Sequence, residues 1–203
     1  MNDLSIFNKI KGNYIHPTAI VNWNKVKMGK NNIVYPYSCI GLDAQHPREV
    51  SNGIVEIGNN NIFREFSTVH LPTSDKKLTK IGNNCYFMIL CHIAHDCKIE
   101  DYVRISNNSI LAGNVHVMKN AVIGLSCCIH QSQVIGSYTM LGMGTIVGAK
   151  SKILPGKIFV GKSAKGLKDN IVGLQRNKVT SEHLLGEIKR FHILYNEIVN
   201  CNV

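Results

Sequence analysis

From Ile81 onward every sixth residue is apolar: Ile81, Phe87, Ile93, Ile99, Ile105 and Leu111, and so on through Phe159, fourteen six-residue units without a slip. The fifth position of each unit is small or modest in size, from Cys85, Cys91 and Cys97 to Ser151 and Ser163, and only Gln133 and Lys157 depart. Upstream the same pattern recurs with interruptions, in residues 15–19, 34–38, 57–61 and 63–67. A strict short repeat of this kind decides the architecture before any single residue does. No α-helix keeps a six-residue period, and a heptad would drift out of phase within three turns.

Short strands that turn a corner every six residues satisfy the pattern. The first position points inward with a large aliphatic group, and the fifth needs a small one where walls converge. The third and fourth lie in the corner, where residues that tolerate left-handed dihedrals are favoured. Asn59-Asn60, Asn83-Asn84 and Asn107-Asn108 all occupy those two positions. Three units close one triangular coil, so residues eighteen apart stack about 4.8 Å from each other. The expected fold is mainly β, a left-handed parallel β-helix of hexapeptide repeats over residues 14–164. Two loop insertions, Leu42 to Glu56 and Leu71 to Lys80, interrupt it, and loops of that length in a solenoid are often functional. A basic segment, 165–203, follows with one helix over 181–199. Leu184, Leu185, Ile188, Phe191, Leu194, Tyr195 and Ile198 lie on one side of that helix, and Thr180 or Ser181 caps it.

Composition narrows the function classes. No apolar run reaches the roughly 18 to 20 residues a membrane span needs, and residues 1–12 do not read as a secretory signal. The expectation is a cytoplasmic protein with reduced cysteines. Cys85, Cys91, Cys97 and Cys127 fill inward positions and form no CxxC pair, so they read as core thiols rather than zinc ligands. The net charge is +10, and residues 150–203 carry 10 Lys and Arg against 4 Asp and Glu. That end suits an acidic or phosphate-bearing partner. The basic residues lack aromatic interleaving and match no nucleic-acid motif, so no nucleic acid is expected.

Histidines concentrate around one coil: His92, His95 and Asp96, followed by His116 and His130, with His70 before the second loop. His95 and Asp96 take the corner positions of their unit and are expected to face outward. One coil on from His95 is Gly113. A histidine base one strand spacing from a glycine N–H suits acyl transfer: His95 would take a proton from the attacking group and the Gly113 amide would stabilise the oxyanion. Asp96 would fix the imidazole tautomer or hold substrate. A tolerated outward corner histidine accounts for position alone about equally well. Zinc held between neighbouring coils is a third reading, but the spacing of His92 and His95 lacks the ligand pattern of β-helical carbonic anhydrases, so no metal is expected.

The strings Ile15-His16-Pro17-Thr18-Ala19-Ile20, Leu78-Thr79-Lys80-Ile81-Gly82, His92-Ile93-Ala94-His95-Asp96-Cys97, Leu111-Ala112-Gly113 and Ile129-His130-Gln131 resemble the UDP-N-acetylglucosamine O-acyltransferases of lipid A biosynthesis. The similarity runs from about residue 14 to residue 178, and the His92–Cys97 string is its most specific part. The resemblance implies that His95 is the general base and Gly113 the oxyanion contact. It places His70, His92, Asp96, His130 and Gln131 around the substrate and donor cleft, with Gln45 and Asn114 on the substrate side. Asn170 and Arg176 fall near the nucleotide. Met143 falls where that family measures acyl length, a methionine there shortening the chain. Lys162 and Lys165, with Lys168, would meet the phosphates of a donor. A homotrimer with clefts between solenoids is also implied, as is acyl-CoA or acyl carrier protein as co-substrate with no bound cofactor.

The departures are local. Gln45-His46-Pro47-Arg48 loses the acidic group that contacts the sugar, and Asn114, Val172 and Asn177 replace a histidine, a glutamate and an arginine. Fewer residues follow the matched stretch than that family's several-helix C-terminal domain has. These changes favour a shifted acceptor and donor: a short acyl or 3-hydroxyacyl group moved to the amino group of a UDP- or dTDP-linked amino sugar for surface glycans. The second reading is the lipid A reaction itself, O-acylation of UDP-N-acetylglucosamine from acyl carrier protein. The third is a non-catalytic scaffold.

Overall fold

The computed structural model describes residues 4–46, 51–73 and 78–200. Pro47 and Arg48 of the first loop, and residues 74–77 of the second, lie outside the described residues. The repeat winds as the expected left-handed parallel β-helix, its two-residue strands taking successive sides: Tyr86–Phe87, His92–Ile93, Lys98–Ile99, Arg104–Ile105. The described strands form three sheets, of ten, six and seven strands. Phe87 pairs with Ile105, Ile93 with Leu111 and Ile99 with Val117, one coil of eighteen residues apart. Across the loops, Val26 pairs with Val55 and Ile57 with Ile81, separations of 29 and 24. The loops bulge out and the ladder resumes beyond them, with one irregularity between Ile40 and Leu42 where the first loop begins.

The fourth residue of every unit from Asn84 to Lys150 is left-handed, with φ between 53° and 67°. The sequence pattern pointed to both corner positions, but only the fourth takes this conformation. Asparagine and glycine do so cheaply, whereas Leu90, Tyr102 and Tyr138 do so at a cost of about 1 to 2 kcal/mol each. The sheets recover that cost inside. Phe63 and Phe87, fully buried, stack with centroids 4.8 Å apart. At the fifth position a ladder of buried asparagines bridges the first coils: Asn13 Oδ1 accepts from the Asn32 amide, Asn32 Oδ1 from the Asn61 amide, and Asn61 Oδ1 from the Cys85 amide, at 2.8–2.9 Å. Cys85, Cys91, Cys97 and Cys127 are buried as expected.

The end of the chain holds more than the single helix expected. A hairpin, Lys157–Val160 with Lys165–Asp169, caps the ten-stranded sheet. A short helix, α1 (Ile171–Arg176), starts on the Asn170 side chain. The amphipathic helix α2 (Ser181–Tyr195) starts on Thr180, as its capping pattern predicts, and ends in a wider π-type turn at Asn196–Asn200. Phe191, Tyr195 and Val199 pack on Met118 and Val134, outside the main core.

Polar contacts tie α2 to the six-stranded wall. Arg190 pairs with Glu100 and Glu187, Glu187 accepts from Ser137 and Lys119, and His116 Nε2 meets Glu100 at 2.7 Å. Burial by itself would push the Glu100 carboxyl up, but hydrogen bonds from His116 and Arg190 outweigh it and hold the group at about 2. A lowered carboxyl stabilises the fold above its unfolded value near 4.5, and that stabilisation is lost as pH falls towards 2. Stability against urea should therefore decline between pH 4.5 and 2, and decline less steeply in Glu100→Gln, with exchange of α2 amides rising first.

Candidate active site

The repeat itself brings the central pair together. His95 is the third residue of its unit and Gly113 the third of the unit one coil above. A side-chain carbon built on Gly113 would overlap the His95 ring. Only glycine lets the imidazole lie flat against the next coil. The Gly113 N–H has no hydrogen-bond partner among the described residues.

His95 Nδ1 lies 2.6 Å from Asp96 Oδ2. A carboxylate only accepts, so Nδ1 carries the proton and the lone pair is at Nε2. Neighbouring residues in a strand point to opposite faces. Here the left-handed turn at Asp96, φ 63°, folds the two side chains together on one corner. The expectation that both face outward needs correction for Asp96, which is only 6% exposed. The start of the second loop covers it: Thr73 Oγ1 donates to Asp96 Oδ2 at 2.9 Å, and the Thr73 N–H to Oδ1 at 3.3 Å.

The cavity beside His95 measures about 260 Å³ and is lined by Gln45, His46, His70, His92, Ala94, Ala112, Gly113 and Gln131 as well. His70 Nδ1 bonds the Asp43 carbonyl at 2.7 Å, which ties the first loop to the coil and leaves Nε2 unprotonated when the ring is neutral. His92 Nδ1 meets Thr68 Oγ1 at 2.8 Å. Burial, together with the nearby His70 and His95, pushes His92 down to about 4, so it is neutral at pH 7. His46 stands edge-on to His95, with ring centroids 5.9 Å apart.

The other expected residues divide. His130 and Gln131 line a separate hollow of about 90 Å³ with Ser132, Lys150 and Val199, and Gln131 also reaches the main cavity. Asn114 lies on the corner beside Gly113 and donates to Ser132 Oγ at 3.0 Å. Met143 is 76% exposed on a corner of its own. Lys162 and Lys165 are exposed at the hairpin and Arg176 at the end of α1. Asn170 is buried, its Oδ1 capping α1 at Gly173 and its Nδ2 bonded to the Tyr138 carbonyl. Within this chain it holds structure and does not line the histidine cavity. Thr68 and Thr73 went unnoticed in the sequence, because a threonine near a loop carries no signal until its carboxylate or imidazole partner is located. Among the described residues no helix is long and apolar enough to cross a membrane.

A continuous hexapeptide solenoid with a histidine–carboxylate pair packed on a glycine defines a β-helical transferase, and residues 78–113 match the family model for bacterial transferase hexapeptide repeats. Over most of its length the chain superposes on two solved structures. One is a UDP-N-acetylglucosamine acyltransferase from Bacteroides fragilis (28% identity, TM-score 0.79, 91% of this chain and 71% of that one). The other is LpxA from Acinetobacter baumannii (30% identity, TM-score 0.79, 88% and 69%). The chain belongs to this LpxA family of hexapeptide-repeat acyltransferases. Among curated relatives, the acyl-[acyl-carrier-protein]–UDP-N-acetylglucosamine O-acyltransferase of Psychromonas ingrahamii is 43% identical over 88 residues, 41% of this chain and 32% of that protein. The Synechocystis protein of the same name is 30% identical over 170 residues, 83% and 61%. The chain spans between 29% and 45% of the length of the first curated relatives it matches.

Gly113→Ala should leave the coil folded, since the backbone there is not left-handed, yet displace the His95 ring. The expected result is a melting temperature within a few degrees of wild type and a loss of turnover of about 100-fold. A fully active Gly113→Ala protein would remove the ring-on-glycine contact from the mechanism.

Proposed function

We propose that the chain transfers an acyl group from a thioester to a hydroxyl of UDP-N-acetylglucosamine. The observation that carries this reading is the His95–Asp96 pair packed on Gly113 in a histidine-lined cavity. His95 Nε2 takes the proton of the acceptor hydroxyl as its oxygen attacks the thioester carbonyl. The oxyanion of the tetrahedral intermediate faces the Gly113 N–H. When the carbon–sulfur bond breaks, the imidazolium returns its proton to the departing thiolate. Asp96 holds the tautomer and stabilises the imidazolium. Neutral His92 can hydrogen-bond sugar hydroxyls without adding charge, and His70 presents Nε2 while its Nδ1 holds the Asp43 carbonyl. Acyl carrier protein is the donor that the relatives' names favour, with the exposed Lys162, Lys165 and Arg176 suited to an acidic carrier or a phosphate-bearing group.

The relatives favour this O-acylation over the N-acylation expected from the departures. His46 keeps the second reading in play. It stands against His95 where the family's sequence pattern has an acidic residue, and an acceptor amine would not need that negative charge. Incubation with acyl carrier protein thioesters and acyl-CoA, against UDP-N-acetylglucosamine and UDP- and dTDP-amino sugars, separates the two by the mass and alkali stability of the product. An ester supports O-acylation and an amide overturns it. With either acceptor, His95→Ala should lower turnover by a factor of about 100 to 10,000.

The same cleft supports a trimer. The outward row of the seven-stranded sheet carries Ile20, His92, Ile110 and Ile146, and the three isoleucines are 40–51% exposed. On the adjoining corner Tyr37 stacks on Phe66 at 5.1 Å, with Leu90 exposed beside them. An apolar wall of this kind suits burial against a second copy, and it would close the cleft on the His92 side. Light scattering should give three chains per particle, and Ile110→Asp should give monomers with little activity. A fully active monomer would show that one solenoid suffices.

A further inference from the structure

We infer that Thr73, at the start of the second loop, is a positioning residue for the catalytic pair, acting on His95 through Asp96. The inference rests on the acyltransferase reading for its consequence and on geometry alone for its existence. Asp96 is a buried carboxylate gripped on three sides: its Oδ2 accepts from His95 Nδ1 at 2.6 Å and from Thr73 Oγ1 at 2.9 Å, and its Oδ1 accepts from the Thr73 N–H at 3.3 Å. Its own N–H donates to Thr79 Oγ1 at 3.0 Å. Thr73 and Thr79 are themselves buried. A threonine at the start of the loop and one in the strand that follows it, Leu78–Ile81, thus hold both ends of the residue that selects the histidine tautomer.

The physical reason for such a clamp is that Asp96 occupies a left-handed corner, where the backbone alone does not fix the carboxylate plane. A free imidazole favours the proton on Nε2, the wrong nitrogen for a base facing the cavity. Asp96 reverses that preference only while its Oδ2 stays in line with Nδ1. The Thr73 hydroxyl and amide, donating to different oxygens of one carboxylate, fix its rotation about the Cβ–Cγ bond. The loop therefore presets the base without itself lining the cavity. No proton is transferred to Thr73 in this scheme. It touches neither acceptor nor donor.

Thr73→Val keeps the volume and the amide while deleting the hydroxyl, and Thr73→Ser restores the hydroxyl. The groups facing His95 that also titrate are Asp96, His46 and His92, so the readout is ¹⁵N resonances of histidine-labelled protein, assigned to His95 through His95→Gln. In wild type, His95 Nε2 should show the shift of an unprotonated ring nitrogen. Thr73→Val should show a mixture of tautomers, a turnover about 10-fold lower, as expected for one hydrogen bond to a charged group, and an unchanged Michaelis constant for the acceptor. Thr73→Ser should restore both. Thr73→Ala serves the same purpose if the valine protein does not fold. A wild-type tautomer in the variant lacking the hydroxyl overturns the inference, as does equal loss in Thr73→Ser. Because the tautomer is read without substrate, this result stands apart from the acyltransferase reading: an altered tautomer in a protein inactive on every thioester would sustain the clamp and sink the reaction.

Discussion

The left-handed residue at the fourth position of every unit is the constraint on which the molecule depends. It lets six residues make one flat side and one sharp corner, so that three sides close a coil and each coil stacks one strand spacing above the last. It also makes the active corner possible. In extended chain, His95 and Asp96 would point to opposite faces. With Asp96 left-handed they share a corner at 2.6 Å. Aspartate is among the few residues that enter this conformation at modest cost, so the fold's requirement and the requirement of the histidine are met by one side chain.

The loops supply what a bare solenoid lacks. A regular corner is open to water, where an ion pair gains little. The first loop bonds His70 through the Asp43 carbonyl and brings Gln45 and His46 to the cavity, and the second buries Asp96 beneath Thr73. Both insertions leave from the seven-stranded sheet and return on the six-stranded one, at a corner of the coil, and the parallel ladder resumes beyond each. The coil fixes which residues stack, and the loops determine how strongly they interact.

This division explains what could be read in the sequence. A six-residue period reports stacking directly, so the fold, the inward cysteines and the meeting of His95 with Gly113 were all legible eighteen residues apart. The meeting of His70 with His92, 5.1 Å apart between ring centroids, was implied only by the family resemblance, because the second loop lies between them and breaks the eighteen-residue count. The burial of Asp96 was not legible, because it depends on the path of a loop with no period. Nor was α1, which is six residues long, has no apolar stripe and starts on an asparagine that the family resemblance assigned to the nucleotide. The departures from the family pattern at His46, Asn114, Val172 and Asn177 pointed to an amine acceptor, whereas the curated relatives are named O-acyltransferases.

The inward cysteines are rendered inert by their packing. Cys85, Cys91 and Cys97 fill the narrow fifth position of consecutive units, close in sequence to His95 and Asp96. Burial pushes all three up to about 12. Their S–H groups donate to backbone carbonyls of the next coil, Cys97 to Ala112 at 3.3 Å and Cys91 to Ser106 at 3.2 Å. A thiol five pH units above neutrality is about one part in 100,000 thiolate at pH 7. The small side chain that the coil demands at that position is thus made inert by the same packing that demands it.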